Sequence, residues 1–363
     1  MELAELSADE YRRICSGRMT PAMAAEYLRS GQLKLRSFGS ILQEMCPGTN
    51  LQSRLTAAFL SDCPGDREEA ISRKIRNWLS GQNMPGSRED VFHIAFALSL
   101  SEPQTNYLLG ICTDYGIHYR EGRDLVYAWF LRRGGSYRQA RDFFAALPPV
   151  PRMTQVPENP NSHLTHELQN DVLRIQTPQE LGAYYVSQLD RLGILHMRAF
   201  SYFQRYLNQL IHPTSALDGV AEPDYSMEAV MKKYFSMRMP SGKNRSGYTV
   251  VQKLVKQNWP NATSLKNIRN YKEDVSRKLI LLLYVITENV LGDNYCELDE
   301  DYICLDERVE DHWWTLNAIL SDCGMPRLDP RNPTDWLVLY AIAAEDEPMS
   351  QRLEKVIECI FDN

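Results

Sequence analysis

Apolar residues recur at the 3.6-residue spacing of amphipathic helices along most of the chain, and no stretch alternates with period two between turn signals. The pattern predicts an all-α, multi-helical fold. Between Leu6 and Leu33 it predicts two short helices, the second opened by Thr20 as cap and Pro21 at the first helical position. Further helices are expected at about Ser37–Met45, Leu51–Leu60, Arg67–Leu79, Arg88–Leu98, Pro103–Tyr115, Gly122–Arg132 and Tyr137–Leu147. Pro148, Pro149, Pro151, Pro157 and Pro160 then exclude both helix and central strand. Residues 148–163 therefore read as a linker between a helical domain over 1–147 and a C-terminal helical domain over 164–363.

Past the linker, Thr177, Pro178 and Glu180 form a capping-box signature that opens a helical pattern continuing to Leu210. Its aromatic residues Tyr184, Tyr185, Phe200, Tyr202, Phe203 and Tyr206 sit at packing positions, with base stacking as the alternative. The longest apolar run, Leu279 to Ile286, falls far short of the roughly 20 residues that span a bilayer. It reads as one buried helix, and no membrane association is expected. The start of the chain lacks a basic segment followed by an apolar one, which points to a cytoplasmic protein.

Composition adds three constraints. The 44% hydrophobic content of the 363 residues is that of a globular protein with two or three domains. The eight cysteines, at 15, 46, 63, 112, 296, 304, 323 and 359, form no C-x-x-C pair or zinc-spaced cluster and read as reduced core thiols. The net charge of −7 conceals a segregation of charge. Residues 232–278 carry twelve Lys and Arg side chains against only Glu273 and Asp274, whereas the chain beyond them holds acidic runs such as ELDEDYICLDERVED and AAEDEPM.

The informative block begins at Leu51. An apolar-faced helix, a turn with Pro64 and Gly65, and a basic helix ending IRNWLSGQNMP have the order of a helix-turn-helix, and a new cap and helix, SREDVFHIAFALSLS, follow Pro85. Ile71, Ile75 and Trp78 lie at i, i+4 and i+7 and anchor the second helix. Ser72, Arg73, Arg76 and Asn77 then face elsewhere. Arginine and asparagine suit guanine and adenine edges, while serine and lysine suit phosphates or mixed contacts.

Ile75, Trp78, Gly81, Pro85 and the following REDVFHIAFALSLS give the block, about residues 37–115, its resemblance to the phage-repressor-like helix-turn-helix family of the lambda repressor and Cro type. The resemblance implies binding to double-stranded DNA, as a transcriptional regulator of a mobile or phage-derived element. The candidate DNA-binding residues here are Ser72, Arg73, Lys74, Arg76, Asn77, Gln82 and Asn83. The alternative is a protein-interaction or effector-inhibitor module that keeps the fold without DNA, its arginines and lysine being a solvated face offset by Glu68 and Glu69.

SLKNIRNY followed by KEDVSRKLILL echoes SRKIRNW followed by REDVFHIAFAL, and the echo falls inside the basic stretch. Lys243, Arg245, Lys253, Lys256, Lys266, Arg269 and Lys272 are therefore candidates for a second DNA-contacting surface, MPSGKNRSG being a basic loop that fails the phosphate-loop pattern. A homodimer or a protein partner is the other use for the C-terminal domain.

No enzyme motif, cofactor fingerprint or metal set is recognised. His163, His166 and Glu167 have neither zincin order nor a third ligand. Asp329, Arg331 and Asp335, near Pro326, Pro330 and Pro333, read as a salt bridge closing a turn rather than as catalytic groups. Trp313 and Trp314, flanked by acids, are either core or a partner hot spot.

Overall fold

The computed structural model describes residues 5–62, 65, 67–150, 164–193, 195–212, 224–240, 247–292, 305–343 and 347–362. Among the described residues there are nineteen α-helices and no strand. None of the helices is long and apolar enough to cross a membrane. By internal packing the chain divides into two units, one made of Met1–Leu35, His196–Cys323 and Arg327–Asn363, the other of Arg36–Leu195 with Gly324–Pro326.

The first unit starts with α1 (Glu5–Cys15) and α2 (Pro21–Arg29). Thr20 caps α2 by accepting from Met23 N at 3.3 Å, and Pro21 occupies the first turn, where its missing N–H costs nothing.

The second unit runs from α3 (Phe38–Met45) through α4 (Leu51–Asp62), α5 (Glu68–Leu79), α6 (Arg88–Leu98), α7 (Glu102–Thr113), α8 (Gly122–Arg132), α9 (Tyr137–Ala145) and α10 (Leu164–Arg174) to α11 (Pro178–Ser187). Ser37, Ser87, Ser101, Ser136 and Thr177 each cap the helix that follows, the last three through full capping boxes. Leu168 and Val172 of α10, Ile175 just past its end, and Leu181 and Tyr185 of α11 belong to the same buried cluster as Phe38, Ile75, Phe92 and Trp129. The apolar core thus continues across the proline-rich stretch, and Trp129 Nε1 donates to Ile175 O at 3.1 Å. Residues 151–163 lie outside the described residues.

The first unit resumes with α12 (Met197–Ile211), α13 (Met227–Val230) and the π-helical turn Met231–Phe235 that continues it, then α14 (Val250–Lys256), α15 (Ala262–Arg269), α16 (Arg277–Gly292), α17 (Leu305–Asp322), α18 (Pro333–Ile342) and α19 (Met349–Phe361). The pattern read as one long helix to Leu210 is divided between α11 and α12, with a break around Gly193. Every residue from Leu279 to Ile286 is buried, because α16 packs on α12, α18 and α19 at once. Residues 5–35 are held against the C-terminal helices: α2 packs along α19, Tyr340 Oη donates to Met19 O at 3.0 Å, and Arg331 Nε donates to Lys34 O at 2.7 Å.

The turn before α18 is closed by an ion pair whose cation comes from α16. Arg277 donates to both oxygens of buried Asp335, at 2.6 and 2.8 Å, and Asp335 also accepts from Asp329 N at 2.8 Å. Asp329 accepts from Ser7 Oγ and Arg331 N. The salt bridge expected here thus takes its cation from Arg277 and not from Arg331, whose Nε donates to Lys34 O.

Candidate nucleic-acid interface

Helix α5 separates its side chains cleanly. Ile71, Ile75 and Trp78 are buried, while Arg73, Lys74 and Arg76 are exposed and Ser72 and Asn77 are half-buried. Its inner face packs on α4 and α3. At Gly39 of α3 the approach is so close that a Cβ would stand 2.0 Å from Leu79 O, which leaves only glycine. The helix ends at Ser80 with Gly81 in the left-handed region (φ +75°), where glycine carries no Cβ penalty, and Asn83 N returns to Asn77 O at 3.2 Å. That reversal leaves Gln82 and Asn83 exposed beside the end of α5 and buries Pro85 before α6.

Three sets of contacts fix the surroundings of α5. Lys74 Nζ reaches Asp90 Oδ1 of α6 at 2.8 Å and lies 4.9 Å over the Trp78 ring. At the other end, Arg138 and Arg141 of α9 donate to Ser61 O and Asp62 O, the last carbonyls of α4, at 2.9 and 3.2 Å. His93 of α6 is stacked between Phe59 and Tyr137, with centroids 3.7 and 3.9 Å away, and its Nε2 meets Asp62 Oδ2 at 2.9 Å. Burial holds the His93 imidazole below its ordinary pKa, against the pull of Asp62. Of the turn between α4 and α5, Cys63, Pro64 and Asp66 lie outside the described residues.

Arg73 and Arg76 have no ion-pair partner among the described residues, so their charge is directed outward. Opposing it, exposed Glu68 and Glu69 put two negative charges on the first turn of α5.

In the first unit the basic stretch divides by role. Arg277 is consumed by Asp335, and Lys278 Nζ donates to Leu254 O and Val255 O at 3.0 Å, satisfying the carbonyl end of α14. Arg238 pairs with Glu358, and Lys266 with Glu228. Lys256 is half-buried with its Nζ 5.2 Å over the Tyr248 ring. Lys253, Arg269 and Lys272 are exposed with no ion-pair partner among the described residues. Lys243 and Arg245 lie outside the described residues.

The internal echo holds at Ile75 and Ile268, both buried, and at Arg76 and Arg269, both exposed. It parts where the second helix begins: Val91 lies in the first turn of α6, whereas Val275 precedes α16. Helix α15 packs on α13, while α5 packs on α4.

A residue without any signature in the sequence anchors the second unit. Arg88, at the start of α6, donates to Thr113 Oγ1 at 2.9 Å, Tyr115 O at 3.0 Å and Gly116 O at 2.7 Å, and pairs with buried Asp124. No local signal could reveal this, because the four partners lie 25 to 36 residues away. Among the described residues no group of three or more His, Cys, Asp or Glu could hold a metal ion. Glu167 pairs with Arg191 at 2.5 Å. Compared with protein-family models, with curated proteins and with solved structures, the chain matches none.

Proposed function

We propose that this chain binds double-stranded DNA through α5, with Arg73, Arg76, Asn77, Gln82 and Asn83 facing the duplex and Lys253, Arg269 and Lys272 supplying further phosphate contacts. The observation that carries the reading is the pair Arg73 and Arg76, exposed with no ion-pair partner among the described residues on a helix whose opposite face is locked into the core. A helix so held fixes the points from which its arginines project, as base-edge and phosphate contacts require. Control of transcription, in a mobile or phage-derived element, is the role that the repressor-like arrangement suggests.

Glu68 and Glu69 favour a second reading, a protein-interaction module, because phosphates would meet them at the N-terminal turn of α5. Selection of bound sequences from a random duplex pool at near-physiological salt separates the two. DNA binding predicts an enriched motif, together with a logarithm of affinity that falls linearly with the logarithm of salt. Replacing Arg269 and Lys272 together should flatten that slope by roughly two units. A pool that yields no motif, with equal slopes for parent and variant, rejects the DNA reading.

A further inference from the structure

Helix α17 has two unlike faces. Val309, Trp313, Leu316 and Leu320 recur at i, i+4, i+7 and i+11 on the inner one, where Trp313 lies edge-on to Tyr11 of α1 with ring centroids 4.9 Å apart. The outer one carries Glu307, Glu310, Asp311 and Trp314 at i, i+3, i+4 and i+7, all exposed. Trp314 is 60% exposed, more than any other large hydrophobic side chain among the described residues. An indole so placed leaves most of its apolar surface in water, which makes it an anchor awaiting a cover.

The chemistry around the ring defines that cover. Trp314 Nε1 donates to Glu310 Oε1 at 3.3 Å, so a carboxylate is held at the edge of the indole. No ring or cation contact covers the indole face among the described residues, and Glu307 and Asp311 have no ion-pair partner there. A π face bordered by carboxylates suits a planar cation, which can stack on the ring while its edge N–H groups reach the acids. Guanidinium meets both demands, whereas ammonium offers only a point charge. Nucleic acid would be repelled.

We propose that the outer face of α17 docks an arginine-rich segment of a protein partner, with Trp314 as the stacking platform and Glu307, Glu310 and Asp311 as the counter-charges. This surface is independent of α5 and stands whether or not the chain binds DNA.

The test uses the full chain and three short labelled peptides in which arginine, lysine or glutamate alternates with alanine, followed by fluorescence anisotropy. The arginine peptide should bind tightest, the lysine peptide several-fold more weakly and the glutamate peptide not at all. Trp314→Ala should weaken the arginine peptide by about tenfold or more, and Glu310→Gln with Asp311→Asn by a similar factor. Because these side chains are exposed, all variants should keep the parent's circular dichroism and melting temperature. Equal binding by parent and Trp314→Ala overturns the proposal. So do arginine and lysine peptides that bind alike, since that is general attraction to a chain of net charge −7.

Discussion

Lys74 Nζ stands 2.8 Å from Asp90 Oδ1, bridging α5 to the helix that follows it. The contact sets Lys74 apart from its neighbours Arg73 and Arg76, because its charge is already answered within the protein. Lys74→Ala should leave the salt slope of DNA binding nearly unchanged, while Arg73→Ala and Arg76→Ala should each flatten it by roughly one unit. In urea the same lysine change should cost about 1 kcal/mol, from the lost pair and the lost contact with Trp78.

Arg76 and Asn77 carry the specificity expectation. Each alanine substitution should cost about 1 to 3 kcal/mol at a selected site if it removes a bidentate base contact, and should relax preference there while affecting random duplex less. Electrophoretic mobility shifts with selected and scrambled duplexes measure both quantities. Asn77 is half-buried, so its variant also needs a melting curve.

Arg277 and Asp335 are nearly excluded from water, at 10% and 1% side-chain exposure. Asp335→Ala leaves a buried guanidinium without its counterion and should cost about 3–5 kcal/mol in chemical denaturation. Replacing both partners by apolar residues of similar volume should recover much of that loss. A single variant as stable as the parent would remove this pair from the structural account.

Gly39→Ala should destabilise the second unit by about 1–3 kcal/mol, because the new methyl group must displace the carbonyl end of α5. The same shift should misplace Gln82 and Asn83, so DNA affinity should fall even at temperatures where the variant is fully folded. Calorimetry and binding measured on one preparation test the coupling.

Buried His93 and half-buried Glu121, which caps α8 by accepting from Asp124 N, give the pH dependence opposite slopes. Burial lowers the His93 pKa below 6.5, so as pH falls through 6.5 the unfolded chain takes up a proton that the folded chain refuses, and stability drops. Burial, reinforced by Asp124, pushes Glu121 up to about 7 from 4.5, so between those values the folded state holds the extra proton and stability drops as pH rises. In urea titrations from pH 5 to 8, His93→Gln should shrink the acid-side loss, and Glu121→Gln the loss on approach to neutrality.

What could be read from sequence was local. Thr20 with Pro21, Ser87, and Thr177 with Glu180 announce their helices because cap and helix lie within a turn of each other. The spacing of Ile71, Ile75 and Trp78 likewise assigned the inner face of α5, leaving Arg73 and Arg76 outside. Roles set by distant chain were hidden. Lys278 looked like part of a basic surface and instead satisfies carbonyls of α14, 23 and 24 residues earlier. The proline run looked like the limit of a domain, but Leu168, Val172 and Ile175 complete the core built by α3 to α9, a complementarity of shape that composition does not encode.

Because α2 packs along α19, the first unit has an order-of-synthesis problem. About 320 residues separate the two helices, which at the usual ribosomal pace of roughly 5–20 residues per second means a delay of about 15 s to a minute. Through that interval α2, whose Ala24, Ala25 and Leu28 are fully covered in the finished fold, lacks its principal neighbour. The second unit, almost continuous in sequence, can close on itself meanwhile. A message cut short before α19 would therefore yield a chain with a formed centre and a sticky leading end, which is the kind of product that chaperones hold and proteases remove.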